Sequence, residues 1–226
     1  MSPQNITSSG VSLPRSQPPA ISANFLSRKH LFNLFESSVP GATLVIAPAG
    51  FGKTTLVAEW VKENARPTFW YTVDVADTIH DFQAHVIAAV TSHFPNFFAN
   101  IDQLEHFEPA ESIKLLASAI GRLSGEFNFV IDGGREENQD IAPYAQIIAD
   151  LVPDNSHLII IRRNSPMTSL ARYAALGNLS VITSAELKFS EDEVKLIAAI
   201  NGVDVSENGN AKELAMCEGW PSAIQM

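Results

Sequence analysis

The chemically most informative stretch of the chain is a run of small residues that ends in a lysine and two threonines. It reads Ala47-Pro48-Ala49-Gly50-Phe51-Gly52-Lys53-Thr54-Thr55 and follows a short apolar segment. Glycine at positions 50 and 52 lets backbone N–H groups turn inward around an anion, because a side chain there would block the approach. Lys53 can place its ammonium group on phosphate oxygens, and the Thr54 hydroxyl can bind Mg²⁺. We therefore predict that residues 49 to 55 bind the phosphates of ATP or ADP.

The surroundings of this loop support the same prediction. The strict pattern G-x-x-x-x-G-K-[ST] has glycine at its first position, where this chain has Ala47. Because Ala47 ends a predicted strand, a small alanine should be tolerated there. A helix predicted to begin at Lys53 adds the positive end of its dipole. A glycine-rich turn with an incidental lysine would not need this order of strand, loop and helix.

Asp132 is the candidate partner for a magnesium ion. It ends the apolar run that begins at Phe127, and a phosphate-binding loop needs a carboxylate on a neighbouring strand to hold Mg²⁺. The alternative is an aspartate that only caps a turn. We predict that Thr54 and Asp132 form the metal shell.

Hydrolysis is less well supported by the sequence than binding. Many hydrolysing proteins of this kind place a second acid directly after the metal-binding aspartate, where it orients the attacking water, but this chain has Gly133. Glu136 and Glu137 follow slightly later and could substitute only if their loop folds back. We predict that hydrolysis is slow or absent.

Other polar residues suggest less. Asp74 and Asp77 follow a predicted strand, so they could approach the γ-phosphate or could equally be turn residues. The six histidines show no metal-ligand spacing, and His80 and His85 lie on different faces of a predicted helix. Cys217 is the single cysteine, which excludes an internal disulfide and a zinc site of paired thiolates.

Short apolar segments alternate with helical ones between residues 43 and 183. The predicted strands are Thr43–Ala47, Thr68–Val73, Phe127–Asp132, His157–Arg162 and Leu179–Thr183. The predicted helices are Lys53–Asn64, His80–Phe94, Glu111–Leu123, Gln139–Leu151 and Met167–Ala175. This alternation predicts an α/β fold with a mostly parallel, five-stranded sheet that is covered on both faces. Together with the phosphate-binding loop, it predicts the three-layer sandwich of a P-loop NTPase.

The two ends of the chain differ from this centre. Residues 1–22 are rich in proline and serine and are predicted to be a flexible or draped segment. Helical spacing begins at Phe25 and continues to Phe35, so the nucleotide-binding domain is expected over residues 23–185. Ser190 and Glu193 have capping-box spacing and predict a helix to about Ile200. Residues 186–226 are therefore expected to begin a helical subdomain of a longer protein.

Composition excludes several classes of function. The 226 residues carry a formal net charge of −10, which argues against binding nucleic acid or an anionic membrane surface through this chain. No apolar run approaches the roughly 18 residues of a membrane span, and no secretory signal is visible at the N-terminus. A cytoplasmic location is the expectation.

Taken together, these motifs resemble the nucleotide-binding module of the MalT-like, LuxR-type transcriptional regulators, which belong to the STAND class (signal-transduction ATPases with numerous domains). The similarity runs from about Leu26 to the C-terminus. It consists of the phosphate-binding loop with Glu59-Trp60, Trp70-Tyr71-Thr72-Val73-Asp74 with Asp77 and Phe82, Ile159 to Pro166, Leu187 to Glu193, and Gly219-Trp220-Pro221-Ser222-Ala223. One such match is weak, whereas five in the same order are specific.

The resemblance implies a switch between an ADP-bound resting form and an ATP-bound form that self-associates. It implies that Arg163 reads the γ-phosphate and acts with Lys53 and Asp132 as the catalytic set, and that Pro221 lies against the adenine. It also implies that DNA is bound only through downstream domains absent from this chain. Gly133, in place of a second acid, and Arg162, in place of a common serine, depart from the family pattern.

Two rival functions belong to other classes. A small-molecule kinase shares the phosphate-binding loop but would need a lid that carries arginines, and Arg162-Arg163 is the one arginine cluster in the sequence. A degenerate module would bind no nucleotide and would serve as an interaction scaffold. Phosphoryl transfer to an acceptor other than water would support the kinase, whereas absence of nucleotide binding at millimolar Mg-ATP would favour the scaffold.

Overall fold

The computed structural model describes residues 13–35, 41–95, 107–133, 140–151, 154–164 and 170–202. Its strands are β1 (Gly41–Ile46), β2 (Thr68–Thr72), β3 (Phe127–Asp132), β4 (Ser156–Arg162) and β5 (Leu179–Ile182). Its α-helices are α1 (Lys53–Asn64), α2 (Ile79–His93), α3 (Pro109–Ile120), α4 (Ala142–Leu151), α5 (Ala171–Ala175), α6 (Ser184–Leu187) and α7 (Glu191–Ile200). Two 3₁₀ helices, Leu13–Ser16 and Lys29–Phe35, precede β1.

The five strands form one parallel sheet in the order β2-β3-β4-β1-β5. Parallel sheets of this kind need cover on both faces, and their strands are therefore apolar throughout. In β4, Leu158 and Ile160 belong to the core on one face, whereas Ile159 and Ile161 belong to the core on the other. The predicted α/β sandwich with a parallel five-stranded sheet is confirmed.

Helices cover the two faces unequally. On one face α1 packs through Leu56 and Trp60, and the 3₁₀ helix Lys29–Phe35 adds Phe35, whose ring stacks on Trp60 at 4.9 Å. On the other face α2, α3 and α4 bury their apolar stripes against the sheet, with Phe82 and Ile113 fully buried. The carboxyl edge of the sheet, where the phosphate-binding loop follows β1, therefore rests on a core that is packed from both sides.

Local signals explain where several helices begin. Thr78 and Asp81 form a capping box at the start of α2, and Ser190 and Glu193 form the predicted one at the start of α7. A third, between Thr183 and Glu186, begins α6, which the sequence prediction missed. Its Ser/Thr-x-x-Glu spacing was visible, but a four-residue helix directly after a strand has too short a pattern to be recognised.

The prediction of a helix from Phe25 is wrong for its first four residues. Residues 25–28 are not helical, and a 3₁₀ helix covers Lys29–Phe35 instead. The backbone N–H of Arg28 donates to Glu59 of α1 at 3.3 Å, and the Ser27 hydroxyl also donates to Glu59. These contacts tie residues 27 and 28 to α1.

Part of the segment that was expected to be flexible or draped, residues 1–22, makes specific contacts with the nucleotide-binding domain. Arg15 donates to the carbonyl oxygen of Thr72 at 3.1 Å and forms an ion pair with Asp77. Ser16 is buried and is hydrogen-bonded to Nδ1 of His85 at 2.8 Å. Residues 15 and 16 thus pack against β2 and α2, which lie more than fifty positions later in the sequence.

Candidate functional site

The phosphate-binding loop joins β1 to α1 through two glycines in the left-handed region. Gly50 has φ 80° and Gly52 has φ 72°, a conformation that residues with a Cβ rarely adopt. Gly52 is the N-cap residue of α1 and carries no side chain that could cap the first turn. The N–H groups at the start of α1 are therefore available to an anionic ligand, and the helix dipole favours negative charge there.

Lys53 is the first residue of α1 and is held inside the loop. Its Nζ donates to the carbonyl oxygen of Pro48 at 2.8 Å, and the residue is buried. Burial lowers the pKa of Lys53, and the positive charge of Arg163 lowers it further, while Asp132 acts in the opposite direction. A phosphate group beside Lys53 would favour its charged form.

Thr54 and Asp132 lie within hydrogen-bonding distance of each other. The Thr54 hydroxyl donates to Oδ2 of Asp132 at 2.9 Å, although the two residues are 78 positions apart in the sequence. A hydroxyl and a carboxylate oxygen are hard ligands of the kind that Mg²⁺ prefers. Among the described residues no group of three or more His, Cys, Asp or Glu could hold a metal.

The sheet order corrects one expectation about Asp132. The aspartate was placed on the strand next to the phosphate-binding loop, but β4 lies between β1 and β3. The end of β4 therefore reaches the same edge, and it brings Arg162 and Arg163 beside the loop. Sequence periodicity could not reveal this, because strand order depends on contacts between distant segments.

These groups surround a cavity of about 260 Å³ at the carboxyl edge of the sheet. It is lined by Ala49, Gly50, Gly52, Lys53, Thr54, Thr55, Asp132, Ile161, Arg162 and Arg163. Most of the predicted site residues are thus brought together in one pocket. Phe51 instead faces a larger adjoining cavity, and Pro221 lies outside the described residues.

The larger cavity, of about 670 Å³, shares Gly50, Gly52, Thr54 and Thr55 with the smaller one. Its other walls come from the segment before β1, including Ile21 and Phe25, from Phe51, and from Phe189 and Asn201 near the two ends of α7. Sequence reasoning missed the contribution of residues 19–26. No local sequence pattern indicates this role, because these residues come to lie beside α1 only in the folded chain.

Arg28 connects this segment to the start of α7. Its Nε donates to Glu193 at 2.7 Å, and its Nη1 donates to the carbonyl oxygen of Leu187 at 2.8 Å. The guanidinium also lies over the ring of Phe189, 4.8 Å from its centroid. Arg28 also lines the larger cavity. The same buried guanidinium therefore contacts both this cavity and the N-terminal end of α7.

The two interpretations of Asp74 and Asp77 are now distinguishable. Asp77 is buried, accepts hydrogen bonds from the Tyr71 hydroxyl at 2.6 Å and from the N–H of Asp74 at 2.7 Å, and pairs with Arg15. Asp74 is exposed and accepts from the N–H of Ala76 at 3.0 Å. Both are turn residues that organise the loop after β2, and neither lines the phosphate cavity.

The first strand of this parallel sheet is followed by a glycine-rich loop, and the helix after the loop begins at a buried lysine. This arrangement defines the α/β class of the P-loop NTPases. No family model matches the chain. The chain is 26% identical over 191 residues to the HTH-type transcriptional regulator MalT of Yersinia pestis and equally to that of Serratia proteamaculans. Each alignment covers 81% of this chain and 21% of the relative, so the chain spans about a fifth of their length.

A solved structure has the same fold. It is a signal transduction ATPase with numerous domains (STAND) protein with a tetratricopeptide repeat sensor from Pyrococcus horikoshii, with a TM-score of 0.63 and 17% identity over 92% of this chain and 30% of that chain. The chain is homologous to the MalT regulators and has the fold of a STAND P-loop ATPase. None of the helices among the described residues is long and apolar enough to cross a membrane.

Proposed function

We propose that this chain is an ATP/ADP-binding switch module of a transcriptional regulator. The observation that carries the proposal is the contact of Thr54 with Asp132 at 2.9 Å beside the buried Lys53. A hydroxyl, a carboxylate and an ammonium group around a helix N-terminus are the groups needed to bind a nucleotide phosphate with Mg²⁺. Arg163, at the end of β4, would contact the γ-phosphate.

The larger cavity offers room for the nucleoside. It continues from the phosphate-binding loop and has apolar side chains from Ile21, Phe25 and Phe51 in its wall, against which a flat base can pack. Pro221 would complete the adenine site. We also propose that the nucleotide state is passed on through Arg28, since its contacts join this cavity to α7.

Hydrolysis is proposed to be slow or absent. Lys53, the metal and the backbone of the loop would stabilise developing charge, but Gly133 provides no carboxylate after Asp132 to orient water. A module with slow hydrolysis would keep its bound ATP intact for long periods. Its regulatory output would be self-association in the ATP state and DNA binding through other domains, in the cytoplasm.

Equilibrium binding tests the proposal. Labelled ATP and ADP are titrated, with and without Mg²⁺, into the wild type, Lys53→Ala and Lys62→Ala. Lys62 is an exposed residue of the same helix and provides the matched control. We expect binding to be lost in Lys53→Ala and retained in Lys62→Ala. Failure of the wild type to bind either nucleotide at millimolar concentration would contradict the proposal.

A further inference from the structure

The segment that crosses α1 before β1 is held at its two ends and hardly at all between them. Residues 17–26, the strap, contain neither helix nor strand, and positions 17–20 and 22–24 are exposed. The one hydrogen bond found in this described segment is internal, from the N–H of Asn24 to Oγ of Ser22 at 3.3 Å. The position of the strap therefore depends on the residues that precede and follow it.

The first anchor consists of Arg15 and Ser16, directly before the strap. Nε and Nη2 of Arg15 donate to the carbonyl oxygen of Thr72 at 3.2 and 3.1 Å, and Nη2 also pairs with the buried Asp77. Ser16 is buried, and its Oγ is hydrogen-bonded to Nδ1 of His85 at 2.8 Å. The first anchor thus joins the start of the strap to the end of β2 and to α2.

The second anchor follows the strap and is tied to two helices. The Ser27 hydroxyl and the backbone N–H of Arg28 donate to Glu59 of α1. The Arg28 side chain also pairs with Glu193 of α7. The Arg28 side chain is 8% exposed and that of Arg15 is 28% exposed, so water competes more readily for the contacts of Arg15. The first anchor is therefore the one that can open while the second holds.

The strap forms a partition between two cavities. Residues 19–22 and 24–26 line the cavity of about 670 Å³ that adjoins the phosphate-binding loop. Residues 17–21 line a second cavity of about 670 Å³, whose other walls include Lys62 and His93. Residues 19–21 belong to both walls. A single segment of chain thus closes one side of the larger cavity beside the phosphates, and there is space behind it into which it can move.

Two prolines link the first anchor to this partition. Pro18 and Pro19 follow the anchor almost directly, and a proline ring fixes its own φ at about −65° and restricts the residue before it. A displacement of Ser16 is therefore passed on to residues 19–21. Ile21 packs against the core on the α1 face but is only partly buried. Opening the strap costs the first anchor and the packing of Ile21, and segments with so few interior contacts have low local stability.

We propose that the strap is a lid on the nucleotide site and that the first anchor sets the rate at which nucleotide is released. This role rests on the proposed nucleotide binding, because a nucleoside in the larger cavity would contact the strap residues in its wall. The nucleotide leaves when the first anchor opens and the strap moves toward the second cavity, so its release rate follows the population of the open strap. Arg15 is a positioning residue that acts through the strap and touches no nucleotide.

Release of a fluorescent ADP analogue, displaced by excess unlabelled Mg-ADP in a stopped-flow experiment, tests this role. In Arg15→Ala we expect release to accelerate about tenfold, since the closed strap loses one charged hydrogen bond or more. Ser16→Ala removes a neutral hydrogen bond and should accelerate release about fivefold. Arg172→Ala is the matched control and should leave release unchanged. Arg172 likewise donates to a backbone carbonyl oxygen and pairs with an aspartate, but it lines neither cavity.

Mg-pyrophosphate separates the action of a lid from a general disturbance of the site. It needs only the phosphate cavity, and none of the described strap residues lines that cavity. Its affinity, measured by calorimetry, should therefore be the same in Arg15→Ala as in the wild type.

The outcomes separate the lid from the proposed function. Unchanged release in Arg15→Ala overturns the role of the strap and leaves nucleotide binding intact, as does equal weakening of Mg-ADP and Mg-pyrophosphate. Absence of nucleotide binding by the wild type overturns both proposals. If Arg15→Ala does not fold, amide hydrogen exchange of the wild type provides the test. Mg-ADP should slow exchange at residues 20–26 and Mg-pyrophosphate should not, and equal exchange with the two ligands overturns the lid.

Discussion

At the scale of single residues, the contact between Thr54 and Asp132 makes the dependence on Mg²⁺ the most direct property to examine. Oδ2 of Asp132 is already oriented toward the Thr54 hydroxyl at 2.9 Å. These two oxygens are the groups that would hold Mg²⁺ beside a bound nucleotide, and the ion would supply positive charge to the phosphates. The carboxylate charge is what distinguishes this arrangement from a turn cap.

Asp132→Asn should remove the effect of Mg²⁺ on ATP binding. The amide preserves shape but loses the charge that holds the ion, so we expect Mg²⁺ to raise the ATP affinity of the wild type by about tenfold and that of the variant hardly at all. Titrations with and without Mg²⁺ measure this. Asp192→Asn, at an exposed position of α7, is the control, and an undiminished Mg²⁺ effect in Asp132→Asn would contradict the assignment.

His157 offers a test of the core by pH. It is buried, its Nε2 is hydrogen-bonded to Oγ1 of Thr43 at 2.8 Å, and its ring lies 5.7 Å from that of Trp60. Burial lowers the pKa of His157 from 6.5 to about 4, with a smaller contribution from Arg66. The folded state thus keeps this histidine neutral at pH values where the unfolded chain binds a proton.

The free energy of unfolding should therefore fall as the pH drops from about 6.5 to about 4. The sign follows because the unfolded state binds more protons in this interval, and the loss from this group amounts to about 3 kcal/mol at its full extent. Urea unfolding of the wild type and His157→Gln across this range isolates the effect, with the exposed His80→Gln as control. Equal pH slopes in the wild type and His157→Gln would show that His157 binds its proton equally well in the folded and unfolded states, which contradicts a lowered pKa.

At the scale of elements, two neighbouring ion pairs before β1 differ in burial. The side chains of Arg28 and Glu193 are 8% and 12% exposed, whereas those of Lys29 and Glu63 are 57% and 49% exposed. Breaking a buried pair leaves an uncompensated charge in the interior, while an exposed pair is screened by water. The first pair joins the segment before β1 to α7, and the second joins it to α1.

Arg28→Met should lower the free energy of unfolding by about 3 kcal/mol, and Lys29→Met by less than about 0.5 kcal/mol. Since Arg28 also holds the carbonyl oxygens of Leu187 and Lys188, amide hydrogen exchange in α7 should accelerate in the first variant alone. Denaturant unfolding and exchange measurements report these two effects. Equal stability losses in the two variants would contradict the role given to burial.

At the scale of the whole molecule, a ligand that binds only the folded chain must stabilise it. Mg-ATP at about one hundred times its dissociation constant should add about 2.7 kcal/mol, which raises the Tm of a domain of this size by about 5 to 10 °C. Thermal unfolding with and without Mg-ATP measures the shift. Lys53→Ala should show no shift and Lys62→Ala the full one, and a shift in Lys53→Ala would place the nucleotide elsewhere.

The phosphate-binding loop, α1 and the strands could be predicted from the sequence because their signals are local. Glycines at 50 and 52 are needed by the backbone of the loop itself, and the bounds predicted for α1 agree with the structure at both ends. Apolar runs of strand length between helical stretches specify a parallel sheet without any knowledge of strand order. The capping box of Ser190 and Glu193 likewise involves residues only three positions apart.

What only the tertiary structure decided depends on contacts between distant segments. The insertion of β4 between β1 and β3 brings Arg162 and Arg163 to the phosphate cavity. The same strand pairing sets the Arg162 side chain over Gly133, where an added Cβ would lie 2.6 Å from its Cδ and Nη1. Sequence patterns depend on residues that are close together in the chain. Strand order and the packing of buried charges depend instead on the free energy of the whole fold, to which all segments contribute.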